Sequence, residues 1–372
     1  MRFEEMMQRY KEGNLSDEEK SYVEEEIRKY EIISEYLYED EIHEEDFIKP
    51  EGNFITSEVE KDAAFIQKAI RKAFCKMGVT VCIVTLAIIL FCIYGLSPLL
   101  ASFYYKPGKE IGEWTNQISM DWAVYSELTM MGDRIDDVRV EDEGFGKYKI
   151  SFYAPNPSPE DIATLSGEVK KGRLHLYNKE LLKNPPEQNL FENMGGEENA
   201  KEILEEMVQS LDEGEAYRGY VRFKEDMEFE DMVRFLTDME IQYPEWIGIR
   251  TEKERISDLG YAMNQGGKVL RGWDEKKYPE LISVTEEGMK SMGADVWDEE
   301  WCTTHFRSML QYMAEQKEFR TMMNEKMNFD AMDTYIEENG LNCYGMVIQT
   351  NKEELARIIN EENIADIDVY VE

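Results

Sequence analysis

Basic side chains are scarce in this chain. Its 372 residues hold 42 Lys and Arg against 79 Asp and Glu, a formal net charge of −37. Phosphate binding needs Lys and Arg patches, so this balance argues against nucleic acid as a partner. It suits solubility and basic protein partners instead. Cysteine is sparse too. Cys75, Cys82 and Cys92 lie in or beside an apolar segment, Cys302 and Cys343 lie far downstream, and no CxxC occurs. That excludes a disulfide-built scaffold, while leaving Cys302 and Cys343 either as a pair or as two buried thiols. Histidine is scarcer still, with only His43, His175 and His305. No Gly-rich phosphate loop, GxSxG or HExxH is present. Cys302-Thr-Thr-His305 sets a thiol and an imidazole one helical turn apart, two ligands where a structural zinc takes four. Carboxylate pairs are too abundant to mark a site. The reading is a non-enzyme with no catalytic residue, no metal and no cofactor.

Charge is missing altogether between Met77 and Tyr105. Within that stretch, Met77 to Leu96 reads MGVTVCIVTLAIILFCIYGL, and eleven of the twenty residues are Val, Ile, Leu or Phe. At about 1.5 Å per residue the twenty span roughly 30 Å, the thickness of a hydrocarbon core. A signal peptide would begin within the first few residues, so this is an anchor that stays. Lys61, Lys68, Arg71, Lys72 and Lys76 precede it, and only Lys106 and Lys109 follow at comparable distance. The bias places the N-terminus in the cytoplasm and the C-terminal part outside. Ser97 and Pro98 are expected to end the helix, with Phe103, Tyr104 and Tyr105 at the outer interface.

Residues 1–60 carry 20 acidic side chains against 7 basic. A first helix is expected from about Phe3 to Lys11, with Phe3, Met6, Met7 and Tyr10 on one face, stopped by Gly13 and Asn14. Ser16-Asp17-Glu18-Glu19 is a capping box with Leu15 at the staple position. The second helix runs from there to about Tyr38, with Tyr22, Val23, Ile27 and Tyr30 among its apolar positions. Two such short helices cannot close an ordinary core. Their stripes meet either each other, as a weak hairpin, or a partner's groove. Residues 40–60 read as an acidic linker, followed by a juxtamembrane helix from about Ser57.

Beyond the anchor the pattern is α+β. Strands are expected between Trp114 and Tyr177, notably at 147–153 and 173–177, and a polar boundary at about 179–200. Then strand, helix, strand recurs: 217–223, 229–239 and 245–251, and again 343–349, 352–360 and 366–371. Two such βαβ units make a ferredoxin-like sheet. Helices at 298–319 and 329–338 would be an insertion packed on it. The expected organisation is a cytoplasmic helical segment 1–60, a basic juxtamembrane helix 61–76, a transmembrane helix 77–97, a membrane-proximal region with strands 98–200, and an extracellular α+β domain 201–372.

FEEMMQRYKEGNLSDEEKSYVEEEI resembles the sigma-factor regulator N-terminal domain of membrane-anchored anti-sigma factors of Gram-positive bacteria, through Phe3, Tyr10, Gly13, Leu15, Ser16, Glu19, Val23 and Glu26. The segments AYRGYVRFKEDMEFEDMVRFLTDMEIQYPEWIGI and YIEENGLNCYGMVIQTNKEELARIINEENI resemble the C-terminal domain of the same regulators. Gly219, Val221, Phe223, Trp246, Tyr335, Gly340, Tyr344, Gly345 and Leu355 carry that likeness. The zinc-binding class of anti-sigma factor is excluded, since no cysteine precedes Cys75. The resemblance implies an extracytoplasmic-function sigma factor as cytoplasmic partner, the lipid bilayer as second, and a membrane protein or protease acting in release on an envelope signal. Phe3, Met6, Met7, Tyr10, Tyr22, Val23, Ile27 and Tyr30 would then fill apolar grooves, and Glu19, Glu24, Glu25 and Glu26 would face basic surface. The rival reading is a bitopic envelope protein with a scaffold or ligand-binding ectodomain and no transcriptional role.

Overall fold

The computed structural model describes residues 9–10, 13, 16–38, 57–153, 164–177, 189–194, 200–241, 244–262, 268–282 and 297–371; side chains at 17–18, 30–38, 57–67 and 200 lie outside the described set. The chain divides into two units, residues 1–81 and 82–372. In the first, α1 spans Asp17–Tyr38. Helix α2, Ser57–Phe91, starts in the first unit and ends in the second.

The helix does not stop at Ser97 and Pro98 as its sequence suggested. Cys92–Leu96 forms one π-helical turn, in which the Ser97 N–H reaches back to the Cys92 carbonyl. A further helical stretch, α3, runs from Ser97 to Ala101 with Pro98 in its first turn. Proline lacks an N–H and breaks a helix interior, but in a first turn that donor is not needed. The π turn resets the ladder so that Pro98 falls where it does no harm. The helical run from Lys68 to Ala101 holds 34 residues, with a mean hydropathy of 2.7 in its most apolar stretch, and is long and apolar enough to cross a membrane.

Beyond it the second unit is α+β. After a two-stranded ribbon of β1 (Glu110–Gly112) and β2 (Thr115–Asn116), α4 runs from Gln117 to Thr129. Only strands were expected here. Nearly all of α4 is buried, so it lacks the polar stripe that betrays a helix. Next come β3 (Arg139–Gly144), β4 (Lys147–Tyr153), β5 (Thr164–Lys170) and β6 (Arg173–Leu176), an antiparallel meander in that order. Its outer turns are two residues long, Phe145-Gly146 and Lys171-Gly172, and all four have positive φ. That is the mirror-image turn whose twist matches paired strands.

Then follow α5 (Leu190–Asn193), α6 (Ala200–Ser210), β7 (Tyr217–Glu228), α7 (Phe229–Asp238), β8 (Trp246–Ile249) and β9 (Gly260–Tyr261). The chain continues with α8 (Glu299–Glu315), α9 (Lys317–Met323), α10 (Phe329–Asn339), β10 (Asn342–Thr350), α11 (Lys352–Ile358) and β11 (Ile364–Val371). The second sheet has the order β11-β7-β10-β8-β9, with every neighbouring pair antiparallel. Strands β7 and β8 therefore run parallel with β10 between them, and β10 and β11 run parallel with β7 between them.

Both faces of the central strands are covered. Val221, Phe223, Ile247, Ile249, Met346 and Ile348 join a core that extends through α4, the meander, α8 and α9. Tyr220, Trp246, Tyr344 and Val347 close on Phe191 and Ile256 on the other side. Phe191 is fully buried, stacked on Trp246 and edge-on to Tyr344. The sequence had offered a polar boundary around it; a single aromatic in a polar stretch instead plugs the sheet.

Candidate functional site

The sequence points to the N-terminal helix, and its local chemistry begins at the cap. The Ser16 N–H donates to Glu19 Oε2 at 3.1 Å, and the Glu19 N–H donates back to Ser16 Oγ at 3.4 Å. The serine hydroxyl also bonds the carboxylate at 2.9 Å. This is the reciprocal capping box, satisfying donors that a helix start leaves open. Those bonds, the backbone one first, hold the Glu19 carboxyl below its ordinary range. One turn on, Tyr10 donates its hydroxyl to Glu24 at 3.1 Å. Lys29 meets Glu25 at 3.3 Å and Glu26 at 2.9 Å.

The apolar positions of α1 separate. Val23 is buried, Ile27 half-buried, and Tyr22 half exposed. Glu24 and Glu25 face solvent, and Glu19 and Glu26 are intermediate. Val23 is thus covered, whereas Tyr22, Glu24 and Glu25 present an aromatic and two carboxylates outward. Phe3, Met6 and Met7 lie outside the described residues, as does the side chain of Tyr30.

A second constellation, not anticipated in the sequence, lies in the C-terminal unit along α4. Asp121 is fully buried. Tyr105 donates to its Oδ2 at 2.5 Å, Tyr312 to its Oδ1 at 2.6 Å, and Gln117 Nε2 to its Oδ1 at 2.9 Å. Burial pushes its pKa up to about 6 against the pull of those donors. Two turns along, His305 is stacked on Trp301 and held at both nitrogens. Nδ1 lies 2.5 Å from the Glu280 carbonyl, and Nε2 lies 2.9 Å from Glu127 Oε1. A carbonyl only accepts, so Nδ1 carries hydrogen. Nε2 then either accepts from a protonated Glu127 or is itself protonated against the carboxylate. Either way one proton sits between two buried groups, and the pair clamps α4 to α8. The Glu127 carbonyl also accepts from Trp246 Nε1 at 3.0 Å, tying the helix to β8.

These polar groups are buried and bind structural elements to one another. Their signal in the sequence was weak, because carboxylates are too abundant in this chain for Asp121 and Glu127 to stand out. Cys302 and Cys343 are both fully buried thiols. Burial pushes the Cys343 thiol up, so it keeps its proton. Among the described residues, no three His, Cys, Asp or Glu are gathered as a metal would need.

Comparison with known proteins accords with this layout. Residues 208–370 match the sigma factor regulator C-terminal family, a stretch that runs from the end of α6 to β11 and takes in the five-stranded sheet. The chain is also similar to the probable anti-sigma-M factor YhdL of Bacillus subtilis, 24% identical over 387 aligned positions that cover 99% of this chain and 96% of that protein. No solved structure matches. Residues 208–370 thus resemble the sigma factor regulator C-terminal domain, within a chain similar over nearly its full length to a probable anti-sigma factor.

Proposed function

We propose that this protein is a membrane-anchored anti-sigma factor that captures an extracytoplasmic-function sigma factor on the cytoplasmic face and frees it on a signal from outside. The observation that carries the reading is the end-to-end likeness to a probable anti-sigma-M factor, with one membrane-length helix between an acidic leading segment and a matched regulator domain. The Lys and Arg bias across that helix supports a cytoplasmic N-terminus. Capture rests on α1: Tyr22 and Ile27 supply apolar contact, and Glu24 and Glu25 speed encounter with a basic surface. Val23 joins them once the first unit opens onto its partner. The C-terminal domain is read as ferredoxin-like, which its strand order and the two split βαβ connections support.

The full chain, solubilised in mild detergent, is the bait for testing capture. A sigma factor should co-purify at moderate salt, and less of it at high salt as charge is screened. Tyr22→Ala with Ile27→Ala should release transcription of the target genes. Undiminished repression by that double variant would remove α1 from the interface. An alkaline phosphatase fusion after residue 110 should be active in cells; an inactive fusion would reverse the topology.

A further inference from the structure

The end of the membrane helix does not lead into a loose tether. The Phe145 N–H donates to Ser97 Oγ at 2.7 Å, and Tyr104 packs against Gly146 and Gly172. Both two-residue turns of the meander are therefore held beside residues 97–104. They are also joined to each other, with the Lys171 N–H donating to the Gly146 carbonyl at 2.9 Å. Twenty apolar residues of about 1.5 Å each carry the helix through the hydrocarbon by about Leu96. The two turns consequently stand at headgroup level.

Their composition is at odds with the rest of the protein. Lys147 on β4 is directly opposite Lys170 on β5, and Lys170 is directly opposite Arg173 on β6. Lys171 sits in the turn between the last two. Like charges facing each other across strands destabilise a sheet, and this chain has nearly twice as many acids as bases with which to avoid it. Glu143 and Glu168 neutralise Lys147, and Glu143 also meets Lys149. Asp142 is exposed and accepts from the Gly144 N–H at 2.7 Å. Lys170 lies near Glu168, whose carboxylate is already taken by Lys147. Among the described residues no ion pair engages Lys170, Lys171 or Arg173, and all three are exposed. Beside them Phe145 is 45% exposed, and Phe103, just past α3, is 71% exposed.

We infer that the paired turns form a lipid-docking surface: Phe145 and Phe103 enter the bilayer interface, and Lys170, Lys171 and Arg173 hold the phosphate of anionic headgroups. Aromatic rings favour that interface, and clustered bases favour anionic lipid. The inference rests on the membrane span alone; it holds for either orientation and for any partner of α1.

The test uses the full chain in nanodiscs. Phe145→Trp adds one indole at the turn, and Leu86→Trp adds one in mid-helix as the control for the span; emission of the parent protein is subtracted. Brominated phosphatidylglycerol should quench both. Quenching of the mid-helix indole without quenching at 145 would overturn the docking surface while leaving the span intact. Quenching at neither position would remove the span and the proposal with it. In detergent, phosphatidylglycerol titrated onto the Phe145→Trp protein should saturate the emission change. Adding Lys170→Glu, Lys171→Glu and Arg173→Glu should raise the half-saturating concentration at least about tenfold, since each base near an anionic surface contributes about fivefold. Phosphatidylcholine should show no such dependence. Equal phosphatidylglycerol uptake by the parent and the triple reversal would refute the headgroup contact.

Discussion

Asp121→Asn should abolish one particular acid-dependent component of stability. The carboxyl is buried beneath Tyr105, Tyr312 and Gln117, and burial raises its pKa from 3.8 to about 6. Below pH 3.8 it is protonated both folded and unfolded and costs nothing. Between those two values the folded protein holds a proton that the unfolded chain has released. Stability therefore falls as pH rises through that window, and the penalty is complete above about pH 6. About two units, at about 1.4 kcal/mol each, come to ~3 kcal/mol. Asparagine keeps an acceptor for Tyr312 and carries no charge at any pH. The assay is urea unfolding of the full chain in detergent, followed by near-ultraviolet circular dichroism, at steps from pH 4 to pH 7. The stability of the parent relative to Asp121→Asn should drop by roughly 2.5 kcal/mol across that range. Asp258, whose half-buried carboxyl is likewise raised to about 6, titrates in both proteins and cancels in the difference. A difference that stays flat with pH would refute the assignment of a buried, ionising Asp121.

Tyr105→Phe removes the 2.5 Å donor to the same carboxyl; it should cost ~1–3 kcal/mol at pH 7 and move the Asp121 transition to higher pH, both read from the same unfolding series. Phe191→Ala empties the space against Trp246 and Tyr344, and a loss of ~3–5 kcal/mol should appear in the denaturant midpoint. Gly260→Ala drives a methyl group into the Ile247 carbonyl and the Trp246 ring; overpacking should cost ~1–3 kcal/mol, and an unchanged midpoint would mean that β9 can shift away.

Much of the secondary structure was legible in the sequence. Lys147–Tyr153 alternates apolar and polar residues at period two and is β4 from end to end. Ser16 and Glu19 announced the start of α1, and their bonds are made. The recurring strand-helix-strand pattern in 217–371 foretold four strands of the five-stranded sheet and the helices α7 and α11, with boundaries shifted by up to five residues, whereas β9 was not foreseen. Most of what escaped notice shares one cause. Helix α4 is wrapped by protein on nearly all sides, so its sequence has no dry and wet faces to contrast. Phe191 acts through a sheet far along the chain, and Asp121, Glu127 and His305 gain their roles only from each other. The helix end escaped for a different reason. Pro98 is a sound stop signal in an α-helical ladder, and the π turn ahead of it changed the ladder.

The fastening of α3 has a mechanical corollary. A domain on a flexible stalk can tumble without its anchor sensing it. Here one bond joins Ser97 to the meander, and Tyr105, eight residues later, is locked into Asp121. Two attachment points so close together leave no swivel: torque applied to the C-terminal unit must turn the top of the membrane helix or tear one of the joints.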